Sequence, residues 1–323
     1  KKSINKTGEK TKQFKKNIKS LKFMKKKILI VGGSGFLGFH LCKLCISKGL
    51  QTFSVSTKKP RIERKIKKVK YILCDISKKE NVEKKLNHNF DYVVNLGGEV
   101  DHTNKIKTYK SHFLGCKNLA EFFSGKNLKL FIQVGSAAEN ASIRSPQSET
   151  LNGKPKTPYG RAKLAASKFL FKKKIKDNLN FVIFRLYQIY GPHQDTNRFI
   201  PILIDSCLKK QIFKCSNGNQ LRDFLYIDDL TSVFFKALNN KDIIHKIINV
   251  GTAKPKKLKE IIENVIKIFN SVEPKYGVVQ LRKDEAKVIY PKTNSIKKLL
   301  KWKPKTSFDK GLTKTINYYK SIK

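Results

Sequence analysis

Short apolar runs at 27–31, 52–55, 71–74, 92–96, 129–134 and 181–185 have the length of strands, and the first is continuous enough to be buried on both faces. Between them apolar residues return every three or four positions, as in amphipathic helices: after the first run through Lys48, over 105–124, and from Tyr159 to about 174. Strand and helix in alternation over 25–186 predict an α/β fold, a doubly wound parallel sheet of Rossmann type. Beyond 187 irregular segments lie among shorter helices near 199, 228–239 and 258–269, and predict a smaller α/β C-terminal lobe capping the strand ends. The expected division is a disordered basic extension over 1–23, the Rossmann domain over 24–186, and a mainly substrate-binding lobe over 187–323, with crossing of the chain between lobes allowed. No repeat of 20–50 residues recurs.

Composition changes this picture at one point. Lysine and arginine number 70 against 24 aspartates and glutamates, a formal net charge of +46. Such a charge points towards nucleic acid or an anionic surface. The excess, however, is nearly all lysine and is spread through every segment beside abundant Ile, Asn and Phe, which is how a compositional bias on solvated faces looks. No specific nucleic-acid partner is expected, only a field that attracts anionic small molecules and makes association salt-sensitive. An arm for an anionic partner is the alternative reading of residues 1–23. No apolar run reaches the roughly 18 residues of a membrane span. Of six cysteines only Cys42 and Cys45 look paired. They share a helical face and read as buried apolar residues, with no metal expected. A reducing cytoplasm fits.

The first run passes into Gly32-Gly33-Ser34-Gly35-Phe36-Leu37-Gly38 and a helix. Glycines so placed allow a tight turn, approach of a pyrophosphate to backbone N–H groups, and close helix–strand packing, so Gly32, Gly35, Phe36, Leu37 and Gly38 are candidate cofactor contacts. The second strand ends at Ser56, where a site for NAD usually places a carboxylate. A hydroxyl there, with Lys58, Lys59 and Arg61 behind it, suits a 2′-phosphate and makes NADP preferred over NAD. Asp75, followed by Ile76, can receive an adenine amino group. Leu96, Gly97 and Gly98 follow the fourth strand, where backbone can approach ribose and phosphate. The fifth strand delivers Ser136 to the carboxyl end of the sheet, where ligands sit. Tyr159 and Lys163 share one face if Tyr159 opens a helix, and the ammonium then lowers the phenol's pKa to make an acid/base. So lysine-rich a chain forms a second such pair, Tyr319 with Lys323, expected to be solvated.

In their order and spacing, Gly32-x-x-Gly35-x-x-Gly38, Asp75, Asn95-Leu96-Gly97-Gly98, Ser136, Tyr159-x-x-x-Lys163, Arg185 to Pro192, Arg222-Asp223-Phe224, Asn249-Val250-Gly251 and Trp302-Lys303-Pro304 resemble the extended short-chain dehydrogenase/reductase family, in its nucleotide-sugar NAD(P)-dependent epimerase/dehydratase branch. The resemblance runs from Met24 to the C-terminus. It implies an enzyme acting on a nucleotide-diphosphate sugar and a homodimer formed through the tyrosine helix. It makes Tyr159 the acid/base, Lys163 its partner and the holder of the nicotinamide ribose, and Ser136 the hydroxyl that positions the sugar oxygen. Arg222 and Arg282 would clamp the diphosphate, and Gln188 stands at a substrate contact where many members have Asn. Ala137 and Ala138 occupy places where members that eliminate water carry acids, which argues against a 4,6-dehydratase. Glu139 lies one position late, and Asn140 replaces a frequent tyrosine in the pocket wall. Two chemistries remain: a 4-ketoreductase for 4-keto-6-deoxy sugars, favoured by Ser56, and a 4-epimerase of the UDP-glucose kind. A non-catalytic dinucleotide or RNA-binding module is a further alternative. His102 and His193 lie on loops within reach of the pocket, and a packing role is expected for both.

Overall fold

The computed structural model describes residues 26–99, 103–177, 179–281 and 285–322. The expected basic extension, His102, Arg282 and Lys323 lie outside the described residues.

Twelve strands are found among them: β1 (Lys27–Val31), β2 (Gln51–Ser56), β3 (Lys70–Leu73), β4 (Tyr92–Asn95), β5 (Leu130–Ser136), β6 (Phe181–Leu186), β7 (Gln188–Tyr190), β8 (Leu221–Arg222), β9 (Phe224–Tyr226), β10 (Lys246–Val250), β11 (Lys256–Lys257) and β12 (Val288–Ile289). Seven make one parallel sheet in the order β10-β6-β5-β4-β1-β2-β3. The order reverses beside β1, so a crevice opens beyond the carboxyl ends of β1 and β4. β7 pairs with β9, and β8 joins β11 and β12.

Residues Ile28 to Val31 are all buried because helices cover both faces. Alternation sends Ile28 and Ile30 to one face, where the helix Phe36–Ser47 contributes Leu41, Cys42 and Cys45. Leu29 and Val31 turn to the other, against Leu119, Phe123, Ala166 and Leu170. Cys42 and Cys45 are thus packing residues; burial pushes the Cys42 thiol up to about 12 and holds Cys45 well above its ordinary value. The first face continues into the second half through Leu203, Phe224, Val233 and Leu312, in the same apolar cluster.

The expected runs appear within a residue or two of their predicted ends. Not predicted are the helices Lys79–Lys85, Asn294–Leu300 and Phe308–Ser321, and β10 as the seventh strand of the main sheet. These segments are short or lysine-rich, which blurs the apolar period.

The C-terminal helix Phe308–Ser321 is fastened to the sheet half by the segment after Gly191. Tyr318 Oη lies 3.0 Å from His193 Nδ1, and Tyr319 donates to the carbonyl of Gln194. Buried Arg64 donates to the His193 carbonyl at 2.6 Å and to Asp195 at 2.7 Å. His40, on the helix after the glycine turn, holds the Pro192 carbonyl at 2.8 Å. Tyr319 is therefore a buried anchor, not half of a solvated pair, because its ring packs on the apolar cluster. His193 packs on Phe39 and Tyr318, as expected of a packing histidine.

Candidate active site

The glycine turn closes on itself. Gly35 N–H donates to the Gly32 carbonyl at 3.0 Å, and a Cβ on Gly38 would overlap that carbonyl and Gly33, so the helix Phe36–Ser47 can start close against β1 only with glycine there. No side chain caps that helix and its first turn has no acid. Its N–H groups and dipole are left to an external anion. Phe36 and Leu37 form the first turn, half-buried.

Ser56 closes β2 beside this turn. Its Oγ accepts from Ser34 Oγ at 2.7 Å and from Ser34 N–H at 3.3 Å, so the hydroxyl ties the strand end to the glycine turn. No carboxylate occupies the position. Lys58 and Lys59 are exposed just beyond, and Arg61 and Arg64 converge on Asp195, at 3.5 and 2.7 Å. Asp75 accepts from the N–H and Oγ of Ser77, and Ile76 is buried against Gly97 and Gly115. After β4 the Leu96 N–H is held by the Val31 carbonyl and the Gly97 N–H by Asn95 Oδ1. Gly98 has φ +153° and carries the His112 imidazole so closely that a Cβ would overlap it.

Ser136 ends β5 and caps a short turn, Ala137–Asn140. Its N–H donates to Glu139 Oε1 at 2.8 Å. Glu139 Oε2 accepts from Ser167 at 2.8 Å and from Arg185 Nε at 2.9 Å, and both members of the Glu139–Arg185 pair are fully buried. The late position of Glu139 therefore has a structural meaning: its carboxylate points beneath Ser136 into the fold. Asn140 is also fully buried, donating to the Ser148 carbonyl, and does not line a pocket wall.

Tyr159 sits in the first turn of the helix Pro158–Asp177, which Gly160 lets lie directly on Ala138. The Tyr159 and Ser136 hydroxyls share a hydrogen bond. Lys163 is 3% exposed and donates to the Val134 carbonyl at 2.8 Å. Its Nζ lies 5.8 Å from the centre of the Tyr159 ring.

The expected electrostatics are inverted. Burial raises the Tyr159 pKa above the ordinary phenol value; the Ser136 bond and Arg198 oppose this, and Glu139 reinforces it. Burial also pulls Lys163 down to about 8, with Glu139 and Cys116 resisting. The reason is geometric: the ammonium is spent on the Val134 carbonyl rather than on the phenol, and desolvation outweighs distant charge.

Among the expected substrate residues, Gln188 is exposed on β7 with its N–H on the Asp223 carbonyl. Arg222 differs from the expectation of a cation awaiting a diphosphate. It is 7% exposed, donates to Glu285 Oε1 at 2.8 Å, and also reaches the Leu221 and Lys287 carbonyls. Its guanidinium is thus already oriented by protein acceptors. Two further residues of the site were not singled out from sequence. Arg198 acts on Tyr159 electrostatically, and the His112 ring meets the Tyr159 ring edge to face at 4.9 Å and 76°. No motif marks either residue.

Taken together, the carboxyl ends of β1, β2, β4 and β5 place an uncapped helix start, two backbone-lined glycines, and a serine–tyrosine–lysine group along one edge. The donor set and the close backbone cradle fit a dinucleotide. No group of three or more potential metal ligands occurs among the described residues, and no helix there is long and apolar enough to cross a membrane.

The family model described as the NAD dependent epimerase/dehydratase family matches residues 28–251. CDP-abequose synthase of Salmonella muenchen is 27% identical over 305 residues, covering 90% of this chain and 97% of that protein. The structure of UDP-glucose 4-epimerase of Thermotoga maritima with UDP-glucose matches with a TM-score of 0.84 and 22% identity, over 92% of this chain and 99% of that one. UDP-glucuronic acid 4-epimerase of Bacillus cereus, in complex with UDP-glucuronic acid and NAD, matches with a TM-score of 0.83 and 22% identity, over 92% and 100%. At such identities the solved structures speak for the fold, and the family match carries the rest: the chain belongs to the NAD dependent epimerase/dehydratase family, nucleotide-sugar enzymes of the extended short-chain dehydrogenase/reductase type.

Proposed function

We propose that this enzyme moves hydride at C4 of a nucleotide-diphosphate sugar without eliminating water, and that it works as a 4-ketoreductase on a 4-keto-6-deoxy sugar. The observation that carries the first part is the Ser136–Tyr159–Lys163 group standing beside Ala137 and Ala138, with the neighbouring carboxylate of Glu139 locked to Arg185. An alanine pair cannot move the protons that elimination requires.

The glycine turn 32–38, Asp75, Leu96 to Gly98 and Lys163 would hold the dinucleotide, which when bound supplies the hydride. Ser136 hydrogen-bonds the sugar oxygen and keeps it in line with Tyr159. Tyr159 gives its proton to O4 as C4 is reduced, and Lys163, fastened to the Val134 carbonyl, holds the tyrosine helix against β5. Arg222, with Arg282, takes the diphosphate. The reductase outcome is supported by Ser56, which leaves the end of β2 neutral with Lys58 and Lys59 behind it, a setting suited to a 2′-phosphate and hence NADP.

A second reading, a 4-epimerase that retains its cofactor, is supported by the names of the structural relatives and by the NAD held in one of them. The two readings separate on the cofactor that co-purifies: retained NAD favours the epimerase, an empty site preferring NADPH the reductase. As the direct test, purified protein with NADPH should oxidise it only when given nucleotide-linked 4-keto-6-deoxy sugars, and Tyr159→Phe should lower kcat by about 10²–10⁴-fold. Failure to turn over both keto sugars and UDP-hexoses sinks both readings. We also propose a homodimer, to be checked by light scattering.

A further inference from the structure

We propose that His112 is a positioning residue for Tyr159. This rests on Tyr159 being the acid/base of the reading above. His112 lies in a π-turn, Lys110–Leu114, inserted between the helices Lys105–Tyr109 and Gly115–Phe123. A π-turn widens a helix by one residue and redirects the side chains that it carries. Here the redirected side chain is an imidazole, 5% exposed, that enters the crevice between two parts of the site. On one side it covers Gly98, whose missing side chain makes the room. On the other its ring meets Tyr159 edge to face, with centroids 4.9 Å apart. Its Nε2 is 3.1 Å from the Glu99 carbonyl, which fixes the ring plane from behind.

The contact does two things. It removes one side of the Tyr159 ring from water, and burial is the largest cause of the phenol's raised pKa. It also limits the angles from which the phenol can address Ser136, since a ring wedged edge to face has few alternative orientations. The other groups acting on the phenol are Ser136 and Arg198, which lower its pKa, and Glu139, which raises it. His112 thereby couples the end of β4, where the dinucleotide would lie, to the acid/base on the helix Pro158–Asp177.

The test is an alkaline titration of Tyr159 by NMR of tyrosine labelled at Cζ, assigned by loss of its signal in Tyr159→Phe, on the full chain of the wild type and of His112→Ala, His112→Asn and His112→Phe. Thermal melts first establish that each variant is folded; one that is not is replaced by His112→Leu. With the ring removed, as in Ala and Asn, the midpoint should fall by about half a pH unit or more, because water reaches the phenol. With a ring retained, as in Phe, it should stay within about 0.2 units of the wild type. In turnover assays Ala and Asn should lower kcat about tenfold or more, with KM for the sugar within about twofold, and Phe should recover most of kcat. An unmoved midpoint in His112→Ala, or Phe behaving as Ala does, overturns the proposal. The titration needs no substrate, so failure of the proposed sugar chemistry and failure of this inference are seen separately.

Discussion

Lys163 donates its hydrogen bond to the Val134 carbonyl at 2.8 Å, two residues before Ser136 on the same strand, while its Nζ stays 5.8 Å from the centre of the Tyr159 ring. The lysine thus pins the tyrosine helix to β5, and its charge is carried in a buried place. With a folded-state pKa of about 8 against an ordinary 10.5, the unfolded chain keeps a proton between those values that the folded chain has released. Stability therefore rises with pH across that window, and below about 8 the full cost of the buried charge is present. Lys163→Met should raise urea stability at pH 7 by about 1–3 kcal/mol while abolishing most turnover. A variant less stable than the wild type contradicts a net cost for that charge.

Glu139 should behave in the opposite way. Its removal leaves Arg185 charged and fully buried without its partner. Glu139→Gln is expected to lose about 3–5 kcal/mol in urea denaturation. Because Glu139 raises both the Tyr159 and Lys163 pKa values, the alkaline limb of any rate profile that depends on Lys163 should move to lower pH in the variant. A rate profile identical to that of the wild type would show that the carboxylate does not act on Tyr159 and Lys163.

On the acid side the relevant groups are His40 and His193, each pushed down to about 4, mainly by burial, with His40 and nearby cations adding to the effect on His193. Both are neutral in the folded chain at pH 6. As pH falls from about 6.5 towards 4, the unfolded chain takes up protons that the folded chain refuses, so stability is lost across that window. The urea midpoint should drop between pH 7 and pH 4.5 by the equivalent of about 1–3 kcal/mol. In His193→Phe the dependence should be shallower; an equal slope in both proteins would place the acid sensitivity elsewhere.

Cofactor choice is tested at the end of β2. Ser56→Asp would put a carboxylate where a 2′-phosphate is proposed to lie, and should weaken NADPH binding about tenfold or more, with NADH affected far less. Isothermal calorimetry of both cofactors on both proteins reads the ratio. A ratio that does not move places the adenosine ribose away from Ser56.

The sheet half was largely legible in the sequence because its determinants are local. A continuous apolar run, a glycine turn and a helical period lie within twenty residues, and each constrains the backbone directly. Cys42 and Cys45 could be read as core for the same reason. What escaped depends on contacts between distant segments. The wedge of His112 on Tyr159 needs a π-turn that no local pattern announces. The Arg222–Glu285 pair joins residues far apart in the chain. Tyr319 shows the converse: helical spacing to a lysine made it look solvated, whereas its hydroxyl bonds to Gln194 and its ring is buried. The direction of the Tyr159 pKa was misread because spacing reports which groups are near and not which acceptor the ammonium prefers.

The place of β10 at the edge of the main sheet has a consequence for biosynthesis. β6 is buried along its whole length and pairs with β10, which leaves the ribosome only after the helices Phe199–Leu208 and Ile227–Ala237 have been made. Until then the nascent chain presents an open strand edge that is apolar apart from Arg185, the kind of surface that recruits other strands. A nascent chain stalled before Lys246, or a fragment ending near residue 186, should thus depend on chaperones to stay unaggregated.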